Sequence, residues 1–253
     1  MIEEIKVLND GFVKLVDRMG DDYSVIRSAR VSTGAALKKG DDKDRGLVYY
    51  MYKNKHMTPF EQVTFTFHLR LPLFINQQIL RHRSFSFNQE SARYKEIKES
   101  HFIPESWRIQ DTKNKQNSFE FNMEENDKVI INKMVTDLYE KANLVYKSLL
   151  DKGIAREQAR IVMPVGQYTE IYFTANLRNI LHFLDLRTHP HAQKEIRDYA
   201  DAIEKILFSI EDLKWTMGIY RKMKALELLF QEGVNKNKIT DEFEKYLEDF
   251  IGG

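Results

Sequence analysis

Two stretches of strict alternation limit what this chain can fold into more than any other feature. Val63, Phe65, Phe67, Leu69 and Leu71 alternate with Thr64, Thr66, His68 and Arg70. Successive side chains of a strand point to opposite faces, so this run predicts a half-buried strand, ended by Pro72. Thr169, Ile171, Phe173 and Ala175 alternate in the same way with Glu170, Tyr172 and Thr174 and predict a second. His68, on the polar face, is expected to be solvated or paired.

Helical signals surround these strands. Val7 to Val16 is apolar but interrupted by Asn9-Asp10-Gly11, whose Asp-Gly pair favours a hairpin or tight turn. Asp22 is expected to cap a helix running through Arg30, and Gly40 to precede a helix from Asp42 to about Lys53, with Leu47 and Met51 on one face. Thr58-Pro59-Phe60-Glu61 has the form of a capping box opening a short helical turn. Pro72 is expected to open a helix to about His82, followed by a loop from Ser84 to Gln89. Val129, Ile130, Met134, Leu138, Ala142, Val145 and Leu149 recur with helical spacing between Asp127 and Leu150, and Gly153 supplies a stop. A shorter helix is expected from Ala155 to Met163, ended by Pro164, with others at Leu177 to Leu186 and Pro190 to Leu213. Gln110 to Asn126 is polar enough for a long loop. After a polar linker from Asn235, Thr240 caps an amphipathic segment carrying Phe243, Tyr246, Leu247 and Phe250. With no repeats and no linker between autonomous halves, one mixed α/β domain is the economical reading.

Composition narrows the function. The 39 basic and 38 acidic side chains give a net charge of +1, so no global field favours nucleic acid or anionic membrane. There is no cysteine, which excludes disulfides, thiolate metal sites and thiolate nucleophiles. No apolar run has the length of a signal peptide or membrane span, and a cytoplasmic protein is expected. Neither Gly-x-Gly-x-x-Gly nor a phosphate-loop pattern occurs among the 11 glycines, so a Rossmann fingerprint is not supported. His189 and His191 near Asp185 would suggest a metal, but no His-Glu-x-x-His pattern accompanies them, and no metal site is expected.

One segment concentrates chemistry. Arg81-His82-Arg83 and Asn88-Gln89-Glu90-Ser91-Ala92-Arg93-Tyr94 place three guanidiniums and an imidazole at a helix-to-loop junction. Guanidinium forks match phosphate and planar imide oxygens, so the junction could hold nucleotides; the bland alternative is a solvated loop with salt bridges. Arg81-His82-Arg83, seven residues and then Ser91 resembles the Arg-His-Arg-x7-Ser signature of flavin-dependent thymidylate synthases. His56, Thr58-Pro59-Phe60-Glu61, Phe65-Thr66-Phe67-His68, Gln78, Arg93-Tyr94, Ala159-Arg160-Ile161-Val162 and Pro164 are similar to the family in place and order. So are Asn176-Leu177-Arg178, Asp185-Leu186-Arg187 and His191-Ala192-Gln193.

The resemblance spans roughly Val7 to Ile210. It implies a domain over 1–215, an α+β fold specific to the family, with a central, mostly antiparallel sheet packed by helices and not Rossmann. Residues 216–253 would form a helical extension on or near it. It further implies reductive methylation of dUMP to dTMP, using 5,10-methylenetetrahydrofolate, NADPH and FAD, in a homotetramer with sites between subunits. Thr58, Arg81, His82, Arg83, Gln89, Asn176, Leu177, Arg178 and His182 match positions at the flavin. Gln78, Arg81, Gln89, Glu90, Ser91, Arg93, Arg160 and Arg187 match positions around dUMP, with Arg187 the candidate for activating uracil. The missing cysteine fits, because the other class of thymidylate synthase attacks uracil C6 with a thiolate. Ser91, with no assignable base, is assigned to binding. Arg160 as a mere bridge between helices stays open, and so does His56 as a structural residue. His191 would cap or contact the flavin site. A competing class is a single-stranded nucleic-acid module using Arg81, Arg83 and Arg93 with Phe85, Phe87 and Tyr94, and a third is an inactive tetrameric relic.

Overall fold

The computed structural model describes residues 2–32, 34, 40–113, 115, 118–121 and 123–231. The expected amphipathic segment after Asn235 lies outside these. The chain opens with the hairpin of β1 (Glu4–Val7) and β2 (Gly11–Met19), turning at Leu8 to Asp10 as the Asp-Gly pair predicts. Both alternating runs are strands: β3 (Thr64–Pro72) and β7 (Tyr168–Asn176), which pair antiparallel from Thr64↔Asn176 to Pro72↔Tyr168.

Ser84 to Gln89 is not wholly a loop. Its second half is an edge strand, β4 (Ser86–Gln89), bonded to β7 along Ser86↔Thr174 to Gln89↔Ile171. The result is a five-stranded antiparallel sheet in the order β1-β2-β3-β7-β4, within a mixed α+β fold without Rossmann topology. The long loop expected after Gln110 is interrupted by a small hairpin of β5 (Arg108–Gln110) and β6 (Ser118–Glu120). Arg108 ties it down, donating from Nη2 to both carboxylate oxygens of Glu195 at 2.7 and 2.9 Å.

Alternation sorts the sheet into two faces. Phe65, Phe67, Leu69, Leu71, Ile171 and Phe173 are buried. They join one core with Ile180, Leu181 and Leu184 of α6 (Leu177–Arg187) and Ile196, Tyr199 and Ile203 of α7 (Lys194–Phe208). The opposite face is polar and half-buried. Thr66 bonds Thr174 at 2.9 Å, and Glu170 receives both His68 and Arg70 at 3.0 Å, so His68 is paired.

Several helix starts differ from the local expectation. The cap of α1 (Asp22–Val31) is Asp21, in a reciprocal capping box with Ser24, and not Asp22. Asp22 is buried and accepts from Trp215 N at 2.8 Å, Thr216 N at 3.1 Å and Thr216 Oγ1 at 2.6 Å. It thus caps another helix, α8 (Lys214–Gln231). Burial pushes its carboxyl up to about 6, against the pull of those donors. Met217, Ile219 and Tyr220 of α8 lie in the same core as the sheet.

Thr58 to Gln62 is a 3₁₀ turn after Met57 with no side-chain cap, so the capping box is not made. Helix α2 (Asp41–Lys53) buries Asp44, Val48 and Tyr52, leaving Leu47 and Met51 only partly covered. Helix α3 (Leu73–Ile79) stops before His82. The 155–163 segment is one short helix, α5 (Arg156–Ala159), followed by a 3₁₀ turn, and α7 begins four residues after Pro190. The long helix is present as α4 (Glu125–Asp151), but its apolar stripe does not face this chain's own core: Ile130, Met134, Leu138 and Leu144 are all more than half exposed.

Candidate active site

The Arg-His-Arg segment follows α3 in consecutive tight turns. Arg81 N–H donates to Gln78 O at 3.3 Å, His82 N–H to Ile79 O at 3.0 Å and Phe85 N–H to His82 O at 3.0 Å. These turns send neighbouring side chains opposite ways, so His82 is buried between Phe85 and Phe183 while Arg81 and Arg83 face outward.

Arg187, in the last turn of α6, reaches the same place. Its Nε donates to His82 Nε2 at 3.0 Å and its Nη2 to Gln78 O at 3.4 Å. Gln78 in turn donates to Gln193 Oε1 at 2.6 Å. Gln78, His82 and Arg187 are therefore one cluster, and His182 joins it closely enough to disfavour a proton on His82. Burial first, then Arg187 and His182, pushes the His82 imidazole down to about 4. Burial also holds the Arg187 guanidinium below its ordinary value.

The folded value of His82 lies below its unfolded value of about 6.5, so its contribution to stability is full above about 6.5 and is lost as pH falls through about 4. At pH 5 the loss is about 2 kcal/mol. Thermal melts of the parent and His82→Gln at pH 7 and pH 5 should show a smaller acid destabilisation in the variant; equal losses would remove His82 from this role.

A second cluster lies past β4. Gln89, Glu90 and Arg160 line a cavity of about 150 Å³, with Arg70, Met163 and Tyr168 in its wall. Gln89 accepts from Asn76 Nδ2 at 2.9 Å and donates to Thr169 Oγ1 at 3.3 Å. Glu90 is paired with Lys95 at 2.5 Å. Asn76 and Gln78 both sit on α3, which joins the two clusters. Ser91 accepts from Arg93 N at 3.3 Å, and Arg93 turns to Glu157 at 3.0 Å. Arg160 is exposed in its 3₁₀ turn and bridges no helices among the described residues.

The third group lies where β7 passes directly into α6. Asn176 caps α6 by accepting from Asn179 N at 3.0 Å, and the Leu177 N–H donates to Val63 O at 2.7 Å while its side chain is fully buried. Arg178 bonds Glu61, which explains why Glu61 does not cap its own turn. Thr58, Arg178 and His182 are exposed, the last two one helical turn apart on α6. His56 packs edge-on to Tyr50 at 6.0 Å.

Sequence reasoning did not single out Asn76. Its side chain is 2% exposed, and nothing in Ile75-Asn76-Gln77-Gln78 sets it apart from the two polar residues that follow it. The rings of His189 and His191 stand 4.9 Å apart, and Asp185 lies beside Tyr220. No group of three possible metal ligands gathers among the described residues.

Arg81, Arg83, Arg160 and Arg187 have no carboxylate partner among the described residues, whereas Arg93 and Arg178 do. Guanidiniums without a carboxylate partner are available to anions, and the donor set suits phosphates and a planar imide. Fold and site together define an enzyme that handles nucleotides on an antiparallel sheet, without a glycine-rich phosphate loop. The chain belongs to the thymidylate synthase complementing protein family, whose model matches residues 14–210. It is 42% identical to a flavin-dependent thymidylate synthase of Thermosipho melanesiensis over 87% of this chain and 94% of that one. It is 43% identical to a protein of the same name from Thermus thermophilus, over 83% and 76%. The fold is also that of a UMP/dUMP methylase, PolB, from Streptomyces cacaoi with 5-Br dUMP bound: TM-score 0.76, 35% identity, 86% of this chain and 97% of that one.

Proposed function

We propose that this chain is a flavin-dependent thymidylate synthase that methylates dUMP to dTMP, with 5,10-methylenetetrahydrofolate as carbon donor and NADPH as the source of electrons through FAD. The observation that carries the reading is the Arg187 guanidinium, held beside Gln78 and His82 with no carboxylate to neutralise it among the described residues. A uracil ring gains negative charge on its carbonyl oxygens as C5 becomes nucleophilic, and a fixed cation stabilises that charge.

Arg187 takes that role, and Gln78, Arg81, Gln89, Glu90, Ser91, Arg93 and Arg160 hold the rest of dUMP. Thr58, Arg81, His82, Arg83, Gln89, Asn176, Leu177, Arg178 and His182 hold FAD. Reduced flavin, when bound, supplies the hydride that turns the transferred methylene into a methyl group. The chain contributes binding, orientation and a positive field; with no cysteine, no thiolate adds to C6. The names of the relatives and the brominated dUMP in the methylase support a uridylate substrate.

The outward-facing flavin residues support a site completed by neighbouring subunits of a homotetramer. The exposed stripe of Ile130, Met134 and Leu138 on α4 supports it too, since apolar faces of this kind mark protein interfaces. Among the described residues no helix is long and apolar enough to cross a membrane, in keeping with action in the cytoplasm.

The test is dTMP formation from dUMP by the purified chain with FAD, methylenetetrahydrofolate and NADPH under low oxygen, together with the visible spectrum. A yellow protein that forms dTMP is expected. Bound flavin without dTMP would point to another substrate, and neither signal would favour the nucleic-acid module.

A further inference from the structure

The contact between Arg187 and His82 fixes more than a distance. Arginine keeps its proton at every pH a folded protein meets, so in the 3.0 Å contact Nε–H is the donor. The ring nitrogen that receives it must offer a lone pair, which makes His82 the neutral tautomer with its hydrogen on Nδ1. The ring has little room to turn: it is 8% exposed, edge-on to Phe183 at 4.9 Å and tilted against Phe85 at 5.6 Å. Its backbone is held on both sides by the turns to Ile79 and Phe85.

We propose that His82 is a positioning residue for Arg187, a neutral acceptor that sets the plane of the guanidinium while leaving its charge intact. The proposal rests on the uracil-activating role given to Arg187 above. An aspartate in the same place would orient Arg187 equally well, but it would cancel the charge that the reacting ring needs. With Nε on His82 and Nη2 on Gln78 O, two acceptors define the plane. The remaining N–H groups have no partner among the described residues and meet the nucleotide in one orientation.

The experiment is a double-mutant cycle on dUMP affinity, measured by titration of the full chain loaded with FAD. His82→Leu should weaken binding about tenfold when Arg187 is present and less than about twofold in Arg187→Ala, because a lost charge-assisted hydrogen bond is worth roughly that factor. His82→Gln, whose Oε1 reaches the place of Nε2, should recover affinity to within about threefold of the parent. Equal losses in both backgrounds, or a glutamine variant as weak as leucine, would overturn the proposal.

Should His82→Leu not fold or not hold flavin, the imidazole ¹⁵N resonances of the parent decide the matter. A protonated Nδ1 with a bare Nε2 at neutral pH supports the proposal, and an imidazolium or an Nε2–H tautomer overturns it. A parent that binds no dUMP sinks the uridylate reading, and the tautomer still decides the His82–Arg187 contact.

Discussion

Arg187→Ala should cut dTMP formation by roughly 10²- to 10³-fold while the visible spectrum of bound flavin persists. The side chain lies in the final turn of α6, and neither of its two protein partners depends on it for burial: Gln78 O is a helix-end carbonyl and His82 is enclosed by Phe85 and Phe183. Removal is expected to leave the fold intact at a cost of about 1–3 kcal/mol, chiefly because the buried His82 Nε2 loses its donor. Single-turnover measurements with pre-reduced flavin would isolate the carbon transfer. Turnover within about tenfold of the parent, less than one removed oxyanion donor typically costs, would take Arg187 out of the reaction.

Phe173→Ala should be among the most damaging truncations for stability, at about 3–5 kcal/mol, lowering Tm by roughly 10 °C in a chain of this size. Phe173 is central to β7, 1% exposed, stacked on Phe85 at 4.9 Å and packed against Phe67 at 5.4 Å. Phe85 stands three residues after His82, so the cavity would open directly beneath the Arg-His-Arg turns. Flavin retention is expected to fall together with Tm. A melting temperature within about 3 °C of the parent would mean that the neighbouring rings collapse into the gap, against the usual behaviour of packed cores.

What was legible in the sequence was whatever is encoded locally. The alternations of β3 and β7, the Asp-Gly turn and the periodicity of α4 were all readable because each pattern repeats within one segment. Strand β4 was not, since Ser86-Phe87-Asn88-Gln89 is short, polar and strand-like only through its pairing with β7. Asp21 and Asp22 were interchangeable as caps until the structure showed that Asp22 serves a helix 193 residues later. Glu61 had a good local role in its own turn, but it pairs with Arg178, 117 residues away. In both cases a distant partner displaced a local one.

The candidate site was legible as a set of residues and not as a geometry. Nothing in Arg81-His82-Arg83 announces that the imidazole turns inward to meet Arg187 while both arginines turn out. Asn76, which holds Gln89 by its amide, had no motif to mark it. The stripe on α4 is legible in the sequence as helical, and only the structure shows that nothing among the described residues covers it.

Strand β4 leaves the ribosome long before β7, yet β7 is its ladder partner, and β7 also closes the open side of β3. The middle of the sheet is therefore the last part of it to be made. Residue 64 waits for residue 176, and at roughly 5–20 residues per second that interval lasts about 6 to 22 seconds. Pairings so distant in sequence also make folding slow once all the strands are present. Throughout that wait two strands offer unpaired edges to any neighbouring nascent chain. The protein is thus most vulnerable to aggregation during its own synthesis, and slower translation between β4 and β7 would lengthen that exposure.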